Sequence, residues 1–454
     1  MKPVNILFVV EDKPTIENII IFCSFLKSRK IKYSISLLFI FGPILDNAIK
    51  KKLIKLKIKT FFLKKINKGQ SIRNFFSGTK NYNSRFGSIK IFISGILGIY
   101  KSITIIYFLY KILNKTKPNL CIVNKDYTEI YELMFFVCKT KRIKTALFPG
   151  AFQHSDRKQF YYKNRLNWII KNKSSSNLFI LNFFSFIFPD WLIKFNKDKF
   201  FLDNPVSRLF RFILGCCSSH PHCIGFGKQN YNFLDSQEQL NVIQKTFKKN
   251  SSNFFLNCKP LLDKIYKIKT HKEKIKKFFF NKYKFYEKKK LILVSLPNYY
   301  EHGFLSLEDQ LNEIRFIINS LKSLNKNYNI VYSLHPSMNY NFYKKKFNNL
   351  TIIKDDITSI IALVDIFISA CSTVSHWTSV LKIKTISLNY FDLKFKYLNK
   401  KKYVNVVKTK SQFIDNINKL KNKKLFFKNY KHNNVKMIID GSHCSRLYNS
   451  ILKI

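Results

Sequence analysis

Two short runs in the C-terminal half carry residue types suited to binding and polarising phosphate: His335-Pro336-Ser337 and Ser372-Thr373. The Ser-Thr pair opens a helical pattern, where hydroxyls cap free backbone N–H groups and the positive helix end favours an anion such as a diphosphate. Alone, such a pair is an ordinary N-cap. Here it has company: His335 closes an apolar run that reads as a neighbouring strand of the same sheet, and Pro336 stops that run so that the imidazole faces the crevice. An imidazole so placed donates to a phosphate oxygen and stabilises charge that develops on a leaving nucleotide.

The elements that must position these residues follow from the hydrophobic pattern, which alternates strand and helix twice. In the first half, strands are expected at 4–10, 33–40, 59–63, 119–123 and 145–148, and helices at 15–28, 88–113 and 128–140. After a Lys-rich helical connector at 264–290, the pattern restarts with strands at 291–296, 329–334, 351–354, 366–370 and 385–389. Helices at 307–324, 357–364 and 374–381 lie between them. Continuous apolar strands joined by helices imply parallel sheets covered on both faces. Residues 155–263 are less regular and read as helices and loops attached to the first domain.

Doubly wound sheets bind ligands outside the carboxyl ends of their strands. The residues at those ends are Glu11-Asp12, Asn124-Lys125-Asp126, Pro149 to His154, Pro297-Asn298, His335-Pro336-Ser337, Ser369 to Thr373 and Asn389-Tyr390.

Composition sets the outer limits. A chain of 454 residues exceeds what one core usually organises, and 46% hydrophobic residues supply enough material for two or three domains. Lys and Arg number 81 against 26 Asp and Glu, a net charge of +55, which favours an anionic partner such as phosphate, acidic lipid or nucleic acid. The excess is mostly Lys spread among Asn, Ile, Phe and Tyr, which equally fits a general compositional bias. Nucleic acid is disfavoured, because no RNA- or DNA-binding motif accompanies the charge. Nine scattered cysteines without a CxxC pair read as reduced thiols of a cytosolic protein. The apolar stretch at 1–10 is too short for a signal segment and reads as a first strand.

Two segments resemble membrane spans. Residues 91–113 are interrupted by Lys101 and Lys111, and residues 178–188 stop at Pro189, whereas spanning takes about 20 apolar residues. Each reads either as a buried core helix or as an in-plane anchor at the interface of an anionic membrane.

The run from Val331 to Tyr390 resembles the C-terminal domain of two-domain glycosyltransferases of bacterial surface and capsular polysaccharide synthesis. These share the GT-B architecture with UDP-N-acetylglucosamine 2-epimerases. The resemblance rests on the His-Pro after a strand, on the Asp365-Ile366-Phe367-Ile368-Ser369 strand ending in Ser-Thr, and on the strand after Lys382-Ile383-Lys384-Thr385. It covers about residues 290–392. Asp440-Gly441-Ser442, with Arg446, resembles the entry to a terminal helix that crosses back to the first domain.

The resemblance implies an α/β chain of two Rossmann-like doubly wound domains facing a cleft: 1–280, 288–430, and a returning helix at 431–454. It implies that His335 contacts the donor phosphate, that Ser372 and Thr373 bind the diphosphate, and that Ser337 and Asn298 are secondary contacts. Asp126 or His154 is expected to be the general base that deprotonates an acceptor hydroxyl. Asp126 also suits a cap on the helix near Thr128, and His154 suits a surface loop. Epimerases of this type carry carboxylates where this chain has Val374-Ser375-His376-Trp377 and Pro149-Gly150-Ala151-Phe152, which favours the transferase.

The expected partners are therefore a nucleotide-sugar donor and a glycan or lipid-linked acceptor, with no cofactor and no metal. Cys216 to Cys223 crowds three thiols and two imidazoles that could bind zinc, yet no second ligand pair at finger-like spacing exists and Pro221 restricts the turn. Gly225-Phe226-Gly227 lacks the third glycine and the preceding strand of a dinucleotide fingerprint.

Overall fold

The computed structural model describes residues 4–40, 46–63, 87–126, 128–148, 183–184, 186–195, 198–201, 204–218, 225, 227–247, 253–370, 372–390, 398, 401–422 and 437–454. They form two compact units. The first takes residues 1–235, 239–260 and 444–454, and the second takes 236–238 and 261–443.

The first unit is built on β1 (Val4–Val10), β2 (Tyr33–Phe39), β3 (Lys59–Phe62), β4 (Leu120–Val123) and β5 (Lys144–Leu147). A short antiparallel hairpin follows, β6 (Leu192–Phe195) with β7 (Asp198–Phe201). β8 (Tyr231–Leu234) and β9 (Phe254–Leu256) complete a sheet of order β3-β2-β1-β4-β5-β8-β9, with every pair parallel. The inner strand β1 is almost wholly buried, which is why its apolar run is continuous and not alternating. The following helix, Lys13–Ser28, starts where the Asp12 carboxylate accepts from Thr15 N at 2.8 Å, and buries Ile16, Ile19, Phe22, Cys23 and Leu26 at helical spacing. On the other face of the sheet, Ile105, Leu109, Ile112 and Leu113 of the Gly87–Thr116 helix pack with Leu7, Val9, Cys121 and Val123.

The second unit carries β10 (Lys290–Ser295), β11 (Tyr328–Ser333), β12 (Ile352–Ile353), β13 (Ile366–Ala370), β14 (Lys384–Leu388) and β15 (Val404–Val407). They form an all-parallel sheet of order β12-β11-β10-β13-β14-β15. In both units the chain runs outward from a first strand, then returns to lay the fourth on its other side. The order therefore reverses between β1 and β4 and again between β10 and β13. The architecture is α/β with two Rossmann-like doubly wound units, as expected.

Several boundaries differ from the sequence reading. The Lys-rich connector is two helices, Pro260–Thr270 and Lys272–Tyr283, and both belong to the second unit, so the first ends near 260 and not near 280. The reason is electrostatic as well as topological: Lys264, Lys276 and Lys282 pair with Asp356, Asp365 and Asp355 of that unit. The helix expected at 357–364 is two single 3-10 turns, Ile357–Ser359 and Ile361–Leu363, the first opened by the Asp356 side chain. Beyond 389, β15 extends the sheet and the Lys410–Lys421 helix follows it. The last helix, His443–Leu452, places Cys444, Leu447 and Tyr448 in the core around β1 and β2 of the first unit.

Candidate functional site

The carboxyl edge of the second sheet gathers most of the expected residues. Ser295, at the end of β10, stands level with both Ser333 of β11 and Ser369 of β13. The loops carrying Asn298, His335 and Ser372 thus leave one edge side by side. β10 lies between β11 and β13, so His335 and Ser372 are not on adjacent strands as expected. They stand two strand spacings apart, about 10 Å laterally, with the Asn298 loop between them at the switch point.

His335 opens a tight turn in which Met338 N donates to the His335 carbonyl at 2.9 Å. Ser337 N–H donates to His335 Nδ1 at 3.2 Å, and Ser337 Oγ lies 2.8 Å from the same nitrogen. A backbone N–H can only donate, so Nδ1 is the acceptor and the neutral ring carries its proton on Nε2. The ring is open to solvent, yet enough protein surrounds it that desolvation lowers its pKa, against an opposing pull from Glu301. A neutral imidazole with a committed tautomer is a hydrogen-bond donor at neutral pH. Asn298 Nδ2 reaches Ser337 Oγ at 3.4 Å and closes the group.

Glu301 and His302 were not singled out in the sequence, because they lie beyond the residues that immediately follow the strand. The loop after β10 brings the His302 ring to 5.7 Å from that of His335. Glu301 is held by Tyr343 Oη at 2.8 Å and Gln310 Nε2 at 3.0 Å, which fixes a carboxylate near the imidazole. An adjacent Glu-His pair in a loop at a strand's carboxyl end was the available signal.

Ser372 and Thr373 lead into a helix, Val374–Val380, and are half-buried. The hydroxyl that caps belongs to Ser372, whose Oγ accepts from Val374 N at 3.2 Å, while Thr373 makes no side-chain capping bond. Further along this helix His376 is buried, with Nδ1 3.7 Å from Glu238 Oε2, and Lys401 donates to the same carboxylate at 2.5 Å. Burial lowers the Lys401 pKa and Glu238 opposes that shift. A carboxylate thus does stand beside the Val374 to Trp377 turn, but it comes from residue 238, out of reach of local sequence reading.

The first unit's carboxyl edge is arranged differently. Asn124 Nδ2 donates to Asp12 Oδ2 at 2.7 Å, Tyr131 Oη donates to Asn124 Oδ1, and Lys125 pairs with Glu11. Asp126 is fully buried, and its Oδ2 accepts from Gly225 N at 2.7 Å, Gly227 N at 2.8 Å and Gln229 Nε2 at 3.1 Å. Three donors on one oxygen hold the carboxylate in place, and full burial denies an acceptor hydroxyl access. Asp126 therefore anchors a loop and is not placed as a base. Neither does it cap the next helix, whose N-cap is Thr128. The glycines of Gly225-Phe226-Gly227 serve this anchor: a Cβ on Gly227 would lie 2.6 Å from Asp126 Cβ and 2.8 Å from its carbonyl oxygen. The other expected base, His154, lies outside the described residues.

Cys216 and Cys217 are buried thiols that donate to the carbonyls of Arg211 and Arg208. Burial, reinforced by Glu132, raises each to about 12, so neither is a ready thiolate ligand. Among the described residues no group of three or more His, Cys, Asp or Glu is gathered for a metal. His220, His222 and Cys223 lie outside them.

No protein-family model matches the sequence, and no curated protein matches it. Solved structures match along the whole chain. UDP-GlcNAc 2-epimerase from Neisseria meningitidis, bound to UDP-GlcNAc, is similar at 14% identity and TM-score 0.55, over 99% of this chain and 100% of that one. The Methanocaldococcus jannaschii enzyme of the same name is similar at 14% identity and TM-score 0.52, over 99% of each chain. The wall teichoic acid polymerase TagF, in a structure with CDPG, is similar at 10% identity and TM-score 0.51, over 99% of this chain and 88% of that one. The chain thus has the two-unit Rossmann-like fold found in both the teichoic acid polymerase and the 2-epimerases.

Proposed function

We propose that this protein is an enzyme acting on a nucleotide-activated sugar, held at the carboxyl edge of the second unit's sheet, and that it transfers the sugar to a glycan or lipid-linked acceptor. The observation that carries the reading is His335, whose Nδ1 is engaged by Ser337 so that Nε2–H is the ring's donor. In this scheme the bond between the sugar carbon and the diphosphate oxygen breaks, the electron pair passes to that oxygen, and His335 stabilises it. Ser372 and Thr373 hold the phosphates and Asn298 and Ser337 the neighbouring atoms. An acceptor hydroxyl attacks from the opposite face, inverting the centre, and gives up its proton to a base for which His154 remains the candidate. The scheme uses no metal or cofactor.

The test is a screen of UDP-, CDP- and GDP-linked sugars for binding and for donor hydrolysis, repeated with His335→Ala. Selective retention of one nucleotide, with hydrolysis lost in the variant, supports the proposal. Preference for oligonucleotides with steep salt dependence overturns it.

Glu301 supports a second reading, a 2-epimerase, because a carboxylate beside the imidazole could take part in moving a proton at a sugar carbon. UDP-GlcNAc incubated in heavy water separates the two: deuterium at the sugar C2 supports the epimerase, and release of UDP without exchange supports transfer.

A further inference from the structure

The Gly87–Thr116 helix presents two faces of opposite meaning. One is the core face already described, with Gly95 and Gly98 on the same side, where the Pro205–Ile213 helix comes so close that added Cβ atoms would meet Val206 Cβ at 2.4 Å and Ser207 Cβ at 2.9 Å. The other should be polar in a helix that ends at water. It instead exposes Phe92, Ile93, Ile96, Leu97, Tyr100, Ile103 and Tyr107, each about half exposed or more. At 100° per residue these seven fall within an arc of about 140°. Farther along the same arc the exposed residues become Lys111, Asn114 and Lys115.

A contiguous exposed apolar stripe marks an interaction surface. We propose that this arc lies in the headgroup region of an anionic lipid bilayer, with the helix axis in the membrane plane. Two observations favour a bilayer over other occupants. Apart from Thr104, the stripe is apolar and aromatic for four turns and turns basic in the last, the pattern of an interfacial helix. The chain carries +55, which an acidic surface attracts and a second copy of the same chain repels.

Despite Lys101 and Lys111, and contrary to the sequence expectation, Phe92–Thr116 is by length and composition apolar enough to cross a membrane. Crossing would take Ile105, Leu109, Ile112 and Leu113 out of the core they share with β1 and β4, so the helix rests on the bilayer and does not enter as a span.

The experiment is flotation of the full chain with phosphatidylcholine vesicles, with and without phosphatidylglycerol, at low and high salt. Binding is expected only with phosphatidylglycerol, and high salt should release part of the bound protein because the apolar component is not screened. Leu97→Glu, Tyr100→Glu and Ile103→Glu together should lower binding about tenfold or more, since apolar area gives way to charge. These side chains are exposed, so the melting temperature should hold. Independently, Tyr100→Trp should be quenched by brominated acyl chains near the headgroups. Undiminished binding by the triple variant, carbonate-resistant retention, no quenching, or a concentration-dependent dimer abolished by the triple variant would each overturn the proposal.

Discussion

The two units share a strand order but use the carboxyl edges of their sheets in opposite ways. In the first unit the polar residues at the switch point consume one another: Asp12 with Asn124, Asn124 with Tyr131, Glu11 with Lys125, and Asp126 with the 225–229 loop. In the second, His335, Ser337, Asn298, Ser372 and Thr373 sit exposed or half-buried, with donors left over. One fold thus builds a closed edge and an open one. The difference lies in whether the side chains after the strands find partners inside the protein or are left open to solvent.

Breaking the open edge should give the largest effect. His335→Ala is expected to lower nucleotide-sugar turnover about ten- to a thousandfold, as removal of a charge-stabilising donor does elsewhere, while leaving the melting temperature nearly unchanged. Steady-state kinetics beside a thermal melt check both halves.

The closed edge should answer in the reverse sense. Asp126→Ala strands the N–H groups of Gly225 and Gly227 and the Gln229 amide, a loss of about 3 kcal/mol or more, and Gly227→Ala drives a Cβ into the Asp126 backbone. Urea unfolding should show both losses, while protein folded at low temperature keeps its nucleotide affinity. Wild-type stability with lost turnover in Asp126→Ala would return that residue to the mechanism.

A smaller effect is expected at the helix entry. Ser372→Ala with Thr373→Ala should weaken nucleotide binding about tenfold and leave acceptor binding unaltered, as read by calorimetry. Unchanged nucleotide affinity would remove both residues from the phosphate site.

The smallest concerns pH. His335 has its pKa lowered by desolvation, so as pH falls the unfolded chain takes up the proton first. The contribution to stability is intact above the ordinary value of 6.5 and is lost as pH falls from there toward the lower folded value. His335→Gln should flatten that part of a urea-midpoint profile. An unaltered profile would mean the ring is solvated as in the unfolded chain.

The sequence by itself determined what depends on local order. Continuous apolar runs marked β1, β4, β10 and β13, because strands buried on both faces admit few polar residues. The alternation with helices then fixed a doubly wound class. That His335, Ser372 and Asn298 follow strands at one sheet edge could be read in advance, because a strand end is legible in the sequence.

What the tertiary structure alone decided are relations across long separations. Asp126 read as a candidate base until Gly225, Gly227 and Gln229, about a hundred positions on, proved to hold it. Glu238 reaches His376 and Lys401 from more than a hundred positions earlier in the chain, and the two basic helices after 260 join the second unit through ion pairs with Asp355, Asp356 and Asp365. Even the long apolar helix 87–116 kept its meaning hidden. Periodicity tells which residues could share a face, but only packing decides which face the core takes and which it leaves to the outside.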